Sequence, residues 1–172
     1  MPLAGAGVLF LKKSQVFALR YGIFGNRTVM ATGSAAVLAI EDEDNDAFLL
    51  RTALKKAGVP NPLIVVRDGQ EAVDYLSGET PFTDRSLHPL PVLILLDLKM
   101  PRMTGFDVLA WIATRPELKH LPVIVLSSSS DDSDVHKARQ MGARDFYIKP
   151  HDFSQLIGIA RELNSRWLES HP

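Results

Sequence analysis

Cysteine is absent from this 172-residue sequence, which excludes a disulfide scaffold and thiolate metal centres and suits a reducing, cytoplasmic setting. Long hydrophobic runs are missing as well. None approaches the roughly 20 apolar residues needed to cross a bilayer, so no membrane segment is expected. No internal repeat or low-complexity tract interrupts the chain. The five histidines, His88, His120, His136, His151 and His171, lack metal-ligand spacing and read as surface residues.

The first 33 residues lack acids altogether: they hold Lys12, Lys13, Arg20 and Arg27 and no Asp or Glu. Taking those 4 from the 19 basic residues leaves 15 against all 20 acids from Ser34 onward, a net charge of −5. An acidic main portion argues against binding to a phosphate backbone, so no nucleic-acid partner is expected. Gly5, Gly7, Gly22 and Gly25 break any long helix in the leader. Its basic pair follows the apolar Val8–Leu11 run, the reverse of a secretory signal, and its single serine counts against a transit peptide. Residues 1–33 therefore read as an extension outside the fold, disordered or weakly helical, and residues 34–172 as the domain.

Within that domain the pattern is regular. Apolar runs at Val37–Ile40, Leu63–Val66, Val92–Leu96, Val123–Leu126 and Phe146–Ile148 alternate with helix-like segments. Uninterrupted apolar runs read as strands buried on both faces, and the alternation predicts an α/β fold, a doubly wound five-stranded parallel sheet with helices on both faces. The helices are punctuated: Gly58 and Pro60 end the first, Ser77-Gly78 the second, and Pro116 the third, which a Thr104/Asp107 capping box opens. Ser130 to Asp132 suits the start of the fourth and Asp152 that of the fifth. Ser77 to Leu90 is rich in turn formers and reads as a long surface loop. Trp111 and Met141 read as packing residues.

Chemistry collects at the strand ends. The central run ends in Asp97, the first in Glu41-Asp42. First and third strands are neighbours in a doubly wound sheet, so these three carboxylates should converge where such sheets bind ligands. Their mutual repulsion calls for a cation, and an oxygen-rich crevice facing a phosphate suits Mg²⁺. Asp44 and Asp46 are open to a plainer reading, as acids favoured at a helix N-terminus. Asp42-x-Asp44-x-Asp46 fails as a calcium loop because Ala47 and Ala53 replace the required Gly and Glu. The fourth strand runs into Ser127 and the fifth into Lys149-Pro150. A hydroxyl and an ammonium facing the acids complete a cradle for a phosphoryl group.

Taken together, Glu41-Asp42, Asp97-Leu98-Lys99-Met100-Pro101 with Gly105, Ser127 and Lys149-Pro150 resemble the receiver domain of two-component response regulators, the CheY-like family, over residues 34–167. The long loop before the central strand and Pro116–Pro122 are most similar to stand-alone receivers that serve phytochrome-type histidine kinases. The resemblance implies a flavodoxin-like strand order 2-1-3-4-5. It implies that Asp97 accepts a phosphoryl group from a sensor histidine kinase or phosphotransfer protein, with Mg²⁺ held by Glu41, Asp42, Asp97 and the backbone carbonyl of Lys99. Lys149 would pair with the phosphoryl group, with a cis bond to Pro150. Ser127 would move toward it as the aromatic Phe146 turns inward. Output would pass to a protein target through the face of the fourth helix, fifth strand and fifth helix, and a homodimer is also compatible with the resemblance. Such a protein is a phosphoacceptor and not a multiple-turnover enzyme, and with no second domain after Trp167 it would act through protein contacts.

Three departures stand out: Lys99 where asparagine is common, Ser128 where alanine is usual, and Phe146 in place of tyrosine. The fourth helix offers only Val135, Ala138 and Met141 as apolar anchors. Two other functions compete. Asp42-x-Asp44 is also similar to aspartyl-phosphate phosphatases of the haloacid dehalogenase type, although Asp46 stands where they carry threonine. A pseudo-receiver would bind partners without phosphorylation, against which the intact acid–hydroxyl–lysine set argues.

Overall fold

A computed structural model describes residues 35–169; the expected extension, residues 1–33, lies outside them. Five strands, β1 (Val37–Ile40), β2 (Leu63–Val66), β3 (Leu93–Leu96), β4 (Val123–Ser127) and β5 (Asp145–Ile148), form one parallel sheet in the order 2-1-3-4-5. Between and after them run α1 (Asp44–Lys56), α2 (Gly69–Ser77), α3 (Gly105–Ala113), α4 (Asp132–Gln140) and α5 (Phe153–Leu163). A short 3₁₀ turn at Pro116–Leu118 follows α3, and a π-helical turn at Asn164–Leu168 follows α5. This is the doubly wound α/β fold expected from the alternation, in the flavodoxin-like order that the resemblance implied.

Burial explains the strands. Every residue of β1 and β3 is buried, because helices cover both sheet faces. Val37, Ala39, Leu93, Leu95, Ile124 and Leu126 face one side, where they pack with Leu50, Ala53 and Leu54 of α1 and Leu156, Ala160 and Leu163 of α5. The alternate residues Leu38, Ile40, Ile94, Leu96 and Val125 are equally buried and point to the other side, since successive strand side chains alternate. There α2 packs against α3 and α4 against β5. Each fully buried aliphatic side chain contributes about 1.5–3 kcal/mol relative to exposure.

Helix ends follow local chemistry, with some differences from expectation. The Thr104/Asp107 capping box forms in full. Asp131, not Ser130, caps α4, accepting from the Ser133 amide. The α5 spiral turns π-helical after Leu163, and this carries Trp167 against the core as a partly buried residue. Val92 lies outside β3 but donates its amide to the Ala36 carbonyl at 2.9 Å. Among the described residues the cis peptide is Thr80–Pro81; the Lys149–Pro150 bond is trans, contrary to what the resemblance implied.

The 77–92 loop is tied down from within. Arg85 donates to the carbonyls of Tyr75 (2.7 Å), Leu76 (2.8 Å) and His88 (3.2 Å), which serves the open C-terminal end of α2. Phe82 is buried and its ring meets those of Tyr75 and His88 at 5.1 and 5.2 Å between centroids. Tyr75, fully buried, sends its hydroxyl to the Pro89 carbonyl at 2.7 Å.

Candidate functional site

The parallel register places the strand ends side by side. Ile40 of β1 pairs with Leu96 of β3, and Ser127 of β4 pairs with Ile148 of β5. One residue beyond the ladder come Glu41, Asp97 and Lys149, still held by sheet-like bonds. The Asp97 amide donates to Ile40 O at 3.1 Å, the Glu41 amide to Val66 O at 2.9 Å and the Lys149 amide to Ser127 O at 2.8 Å. Side chains from four strands therefore meet at the carboxyl edge on rigid backbone.

Asp97 is the hub. Its Oδ1 accepts from the Ser127 hydroxyl at 2.7 Å and from the Lys99 amide at 3.0 Å, and its Oδ2 accepts from Lys149 Nζ at 2.6 Å. Asp97 is 5% exposed and Ser127 fully buried. The same ammonium reaches Glu41 Oε2 and Asp46 Oδ2, both at 2.7 Å. Burial pushes the Glu41 carboxyl up to about 7, overcoming the opposing attraction of Lys149. For Lys149 burial works downward, but hydrogen bonds to Asp46, Asp97 and Glu41 outweigh it and hold the ammonium above its ordinary value.

Gly105 sets the distance between this hub and α3. A Cβ there would lie 2.3 Å from the Asp97 carbonyl oxygen and 2.8 Å from Leu98 Cα, so no other residue fits without moving backbone. Its amide closes the turn on Leu98 O at 3.1 Å. The loop between Asp97 and α3 thus passes under the site at the closest approach a chain allows.

Glu41, Asp42 and Asp97 offer oxygens within 4.8 Å of one another. One oxygen of Asp42, Oδ1, is buried and accepts no hydrogen bond, a costly state for a carboxylate. Glu41, Asp46 and Asp97 share the ammonium of Lys149, and Asp42 has no part in it. Hard oxygen donors, an excess of negative charge and an unsatisfied buried acceptor fit a divalent cation.

The structure brings Glu41, Asp42, Asp97, Ser127 and Lys149 together, Lys99 reaching Asp97 through its amide, while Phe146 does not join them. Phe146 is half-buried on β5, three residues before Lys149, while Tyr147 turns to the α1/α5 side of the sheet. The Lys99 side chain is exposed near Asp131, and only its amide contacts Asp97. Two residues carried no expectation of this kind. Asp46, read as a helix-terminus acid, instead bonds Lys149, whereas Asp44 fills the surface role by pairing with Arg67 at 2.7 Å. Ser129 is buried, its amide lies 3.5 Å from Ser127 Oγ, and its own hydroxyl donates to Asp134 Oδ2 of α4 at 2.5 Å. Nothing distinguishes it within Ser127–Ser130.

This fold, with acids on β1 and β3, a hydroxyl on β4 and a lysine on β5, defines a class, and comparison with known proteins agrees. Residues 37–161 match the response regulator receiver domain family model, and the chain belongs to that family. It is 33% identical over 134 residues to the response regulator Rcp1 of Synechocystis sp., covering 78% of this chain and 89% of Rcp1. A crystal structure of the Mn²⁺-bound form of Rcp1 superposes with a TM-score of 0.71 at 32% identity, covering 79% of this chain and 96% of that one. The phosphorylated cyanobacterial phytochrome response regulator RcpA gives 0.74 at 34% identity, over 81% of this chain and 98% of RcpA. RPA3017, a response regulator in red light signalling of R. palustris, gives 0.75 at 31% identity, over 80% of this chain and 96% of its own. Among the described residues no helix is long and apolar enough to cross a membrane.

Proposed function

We propose that this response regulator takes a phosphoryl group on Asp97 from the phosphohistidine of a sensor histidine kinase or phosphotransfer protein, the kinase being of phytochrome type. A carboxylate oxygen of Asp97 attacks phosphorus while the P–N bond to the donor imidazole breaks. The observation that carries this is the hub geometry: a buried carboxylate facing one hydroxyl, one amide and one ammonium, beside an orphaned oxygen of Asp42.

Each residue has work to do. Ser127 and Lys149 present donors where negative charge lands on the transferred group, stabilisation that fixed donors supply without reorganising. Glu41, Asp42, Asp97 and the Lys99 carbonyl are the residues that would hold Mg²⁺. When bound, the cation neutralises phosphoryl oxygens and lowers repulsion among the acids. The rigid strand ends align acceptor and donor, so the protein contributes positioning and charge and does not turn over an external substrate.

Phosphorylation would draw Ser127 toward the new group and let Phe146 turn inward. Phe146 has no hydroxyl, so its contribution is packing. The α4–β5–α5 face would carry the output to a protein target or a second copy. Of the nine residues of α4 only Ala138 is buried, the thin anchorage expected of a switching element. Residues 34–172 are the receiver unit, residues 1–33 an appended extension, and the setting is the cytoplasm.

The test is intact mass after incubation with acetyl phosphate and Mg²⁺, for wild type and Asp97→Asn, with an EDTA control. One added phosphoryl group in wild type alone is expected. No added mass, together with no beryllofluoride complex, would sink the proposal in favour of a binding module that is never phosphorylated. Sustained release of phosphate from small esters would favour a phosphatase.

A further inference from the structure

Lys149 has three N–H donors and no acceptor, and all three are engaged: Asp97 at 2.6 Å, Glu41 at 2.7 Å and Asp46 at 2.7 Å. Two of these partners belong to the cluster with cation-binding geometry, Glu41 and Asp97 with Asp42, and Asp46 does not. Asp46 approaches from the first turn of α1 and lines a recess with Leu49, Leu126, Pro150 and Leu156. Once Asp97 carries a phosphoryl group, its bonded oxygen is a weaker acceptor. A Glu41 oxygen shared with a cation would be a weaker acceptor as well. Two of the three holds on the ammonium would therefore weaken during the reaction, and the third, Asp46, keeps both its charge and its hydrogen bond.

We infer that Asp46 is a positioning residue: it anchors the Lys149 ammonium over the carboxyl edge while Glu41 and Asp97 serve the cation and the phosphoryl group. The inference deepens the phosphoacceptor reading of Asp97 and rests on it. Asp44 supplies the contrast. It sits in the same helical turn with the same charge, but it is 74% exposed and pairs with Arg67, so it shares the helix-terminus effect of Asp46 without touching Lys149.

The experiment follows phosphoryl uptake by intact mass over time, with acetyl phosphate and Mg²⁺, in the full chain. Asp46→Ala should lower the rate at saturating donor roughly tenfold, the lower end of what a charge-assisted hydrogen bond implies at a half-exposed site. The donor concentration at half saturation should stay put. Asp46→Asn, which keeps an acceptor oxygen and loses the charge, should recover part of the rate, and Asp44→Ala should stay within about twofold of wild type. In a Lys149→Ala background, Asp46→Ala should have no further effect, the signature of an action through Lys149. Should Asp46→Ala fail to fold, the near-isosteric Asp46→Asn carries the test, with a partial loss expected. Wild-type rates in both variants, an equal loss in Asp44→Ala, or a further loss without Lys149 would overturn the inference and leave the Asp97 reading intact. A wild-type protein that gains no phosphoryl group would remove both.

Discussion

The two ends of the sheet solve opposite problems. At the amino end, the 77–92 loop closes on itself: Arg85 serves three carbonyls, Tyr75 a fourth, and Phe82 fills the space between Tyr75 and His88. At the carboxyl end, three acids crowd one ammonium and an oxygen of a fourth, Asp42, has no partner. The loop at the amino end meets its carbonyls from within. The other end has a deficit that only something arriving from outside makes good. Stability and function are thus separated along the length of five short strands, and removing a group should have opposite consequences at the two ends.

Four measurements sharpen or break that contrast. At the amino end, Phe82→Ala should cost about 3–5 kcal/mol in urea unfolding, the usual range for emptying a buried aromatic site. Mg²⁺ affinity and phosphoryl uptake of the folded variant should not change. An altered uptake rate would show that the two ends are coupled.

Next in size is a pH effect at the carboxyl end. Glu41 has its folded-state carboxyl raised to about 7 from 4.5, so between those values the folded protein binds more protons than the unfolded chain. In EDTA its contribution should decline as pH rises from about 4.5 to about 7 and then level off, a loss of at most about 3 kcal/mol. Mg²⁺ should flatten the slope, and so should Glu41→Gln. A slope unchanged in Glu41→Gln would assign the effect elsewhere.

Asp42→Asn should act in the reverse sense from Phe82→Ala. Trading this carboxylate, one of whose oxygens is buried without a partner, for an amide relieves repulsion, and metal-free stability should rise by about 1 kcal/mol. The melting-temperature gain on adding Mg²⁺ should vanish with it. A destabilised Asp42→Asn would mean that the carboxylate already has a structural partner.

The smallest effect belongs to α4. It buries only Ala138, whereas the equally long α3 buries Gly105, Val108, Leu109 and Ile112. Hydrogen exchange at α4 amides should outpace that at α3 by roughly tenfold or more, since opening free energies track buried contacts. Equal protection would argue against α4 as the moving element.

How much of this was legible in the sequence depended on the kind of force involved. Strands β1 and β3 were legible because burial on both faces demands unbroken apolar runs. The sheet order then puts Glu41, Asp97, Ser127 and Lys149 at one edge by register alone. Asp46 was not assigned, because an acid in a first helical turn has a sufficient local explanation and its reach to Lys149 spans 103 residues. The Arg85 staple was hidden likewise: its partners are backbone carbonyls, and these leave no trace in residue identity. The expectation of a cis Lys149–Pro150 bond came from the resemblance alone, and the bond is trans.

Gly105 has a consequence for reading other chains. Its missing Cβ keeps α3 within van der Waals reach of the Asp97 backbone, so the fit admits one amino acid of twenty. That position is a gauge of backbone shape written in a single letter. A similar sequence with alanine there must have moved α3 outward or rotated the peptide after its aspartate, and its acceptor would face the crevice at a different angle. Inspecting one codon would separate chains that keep this geometry from chains that have only kept the acids.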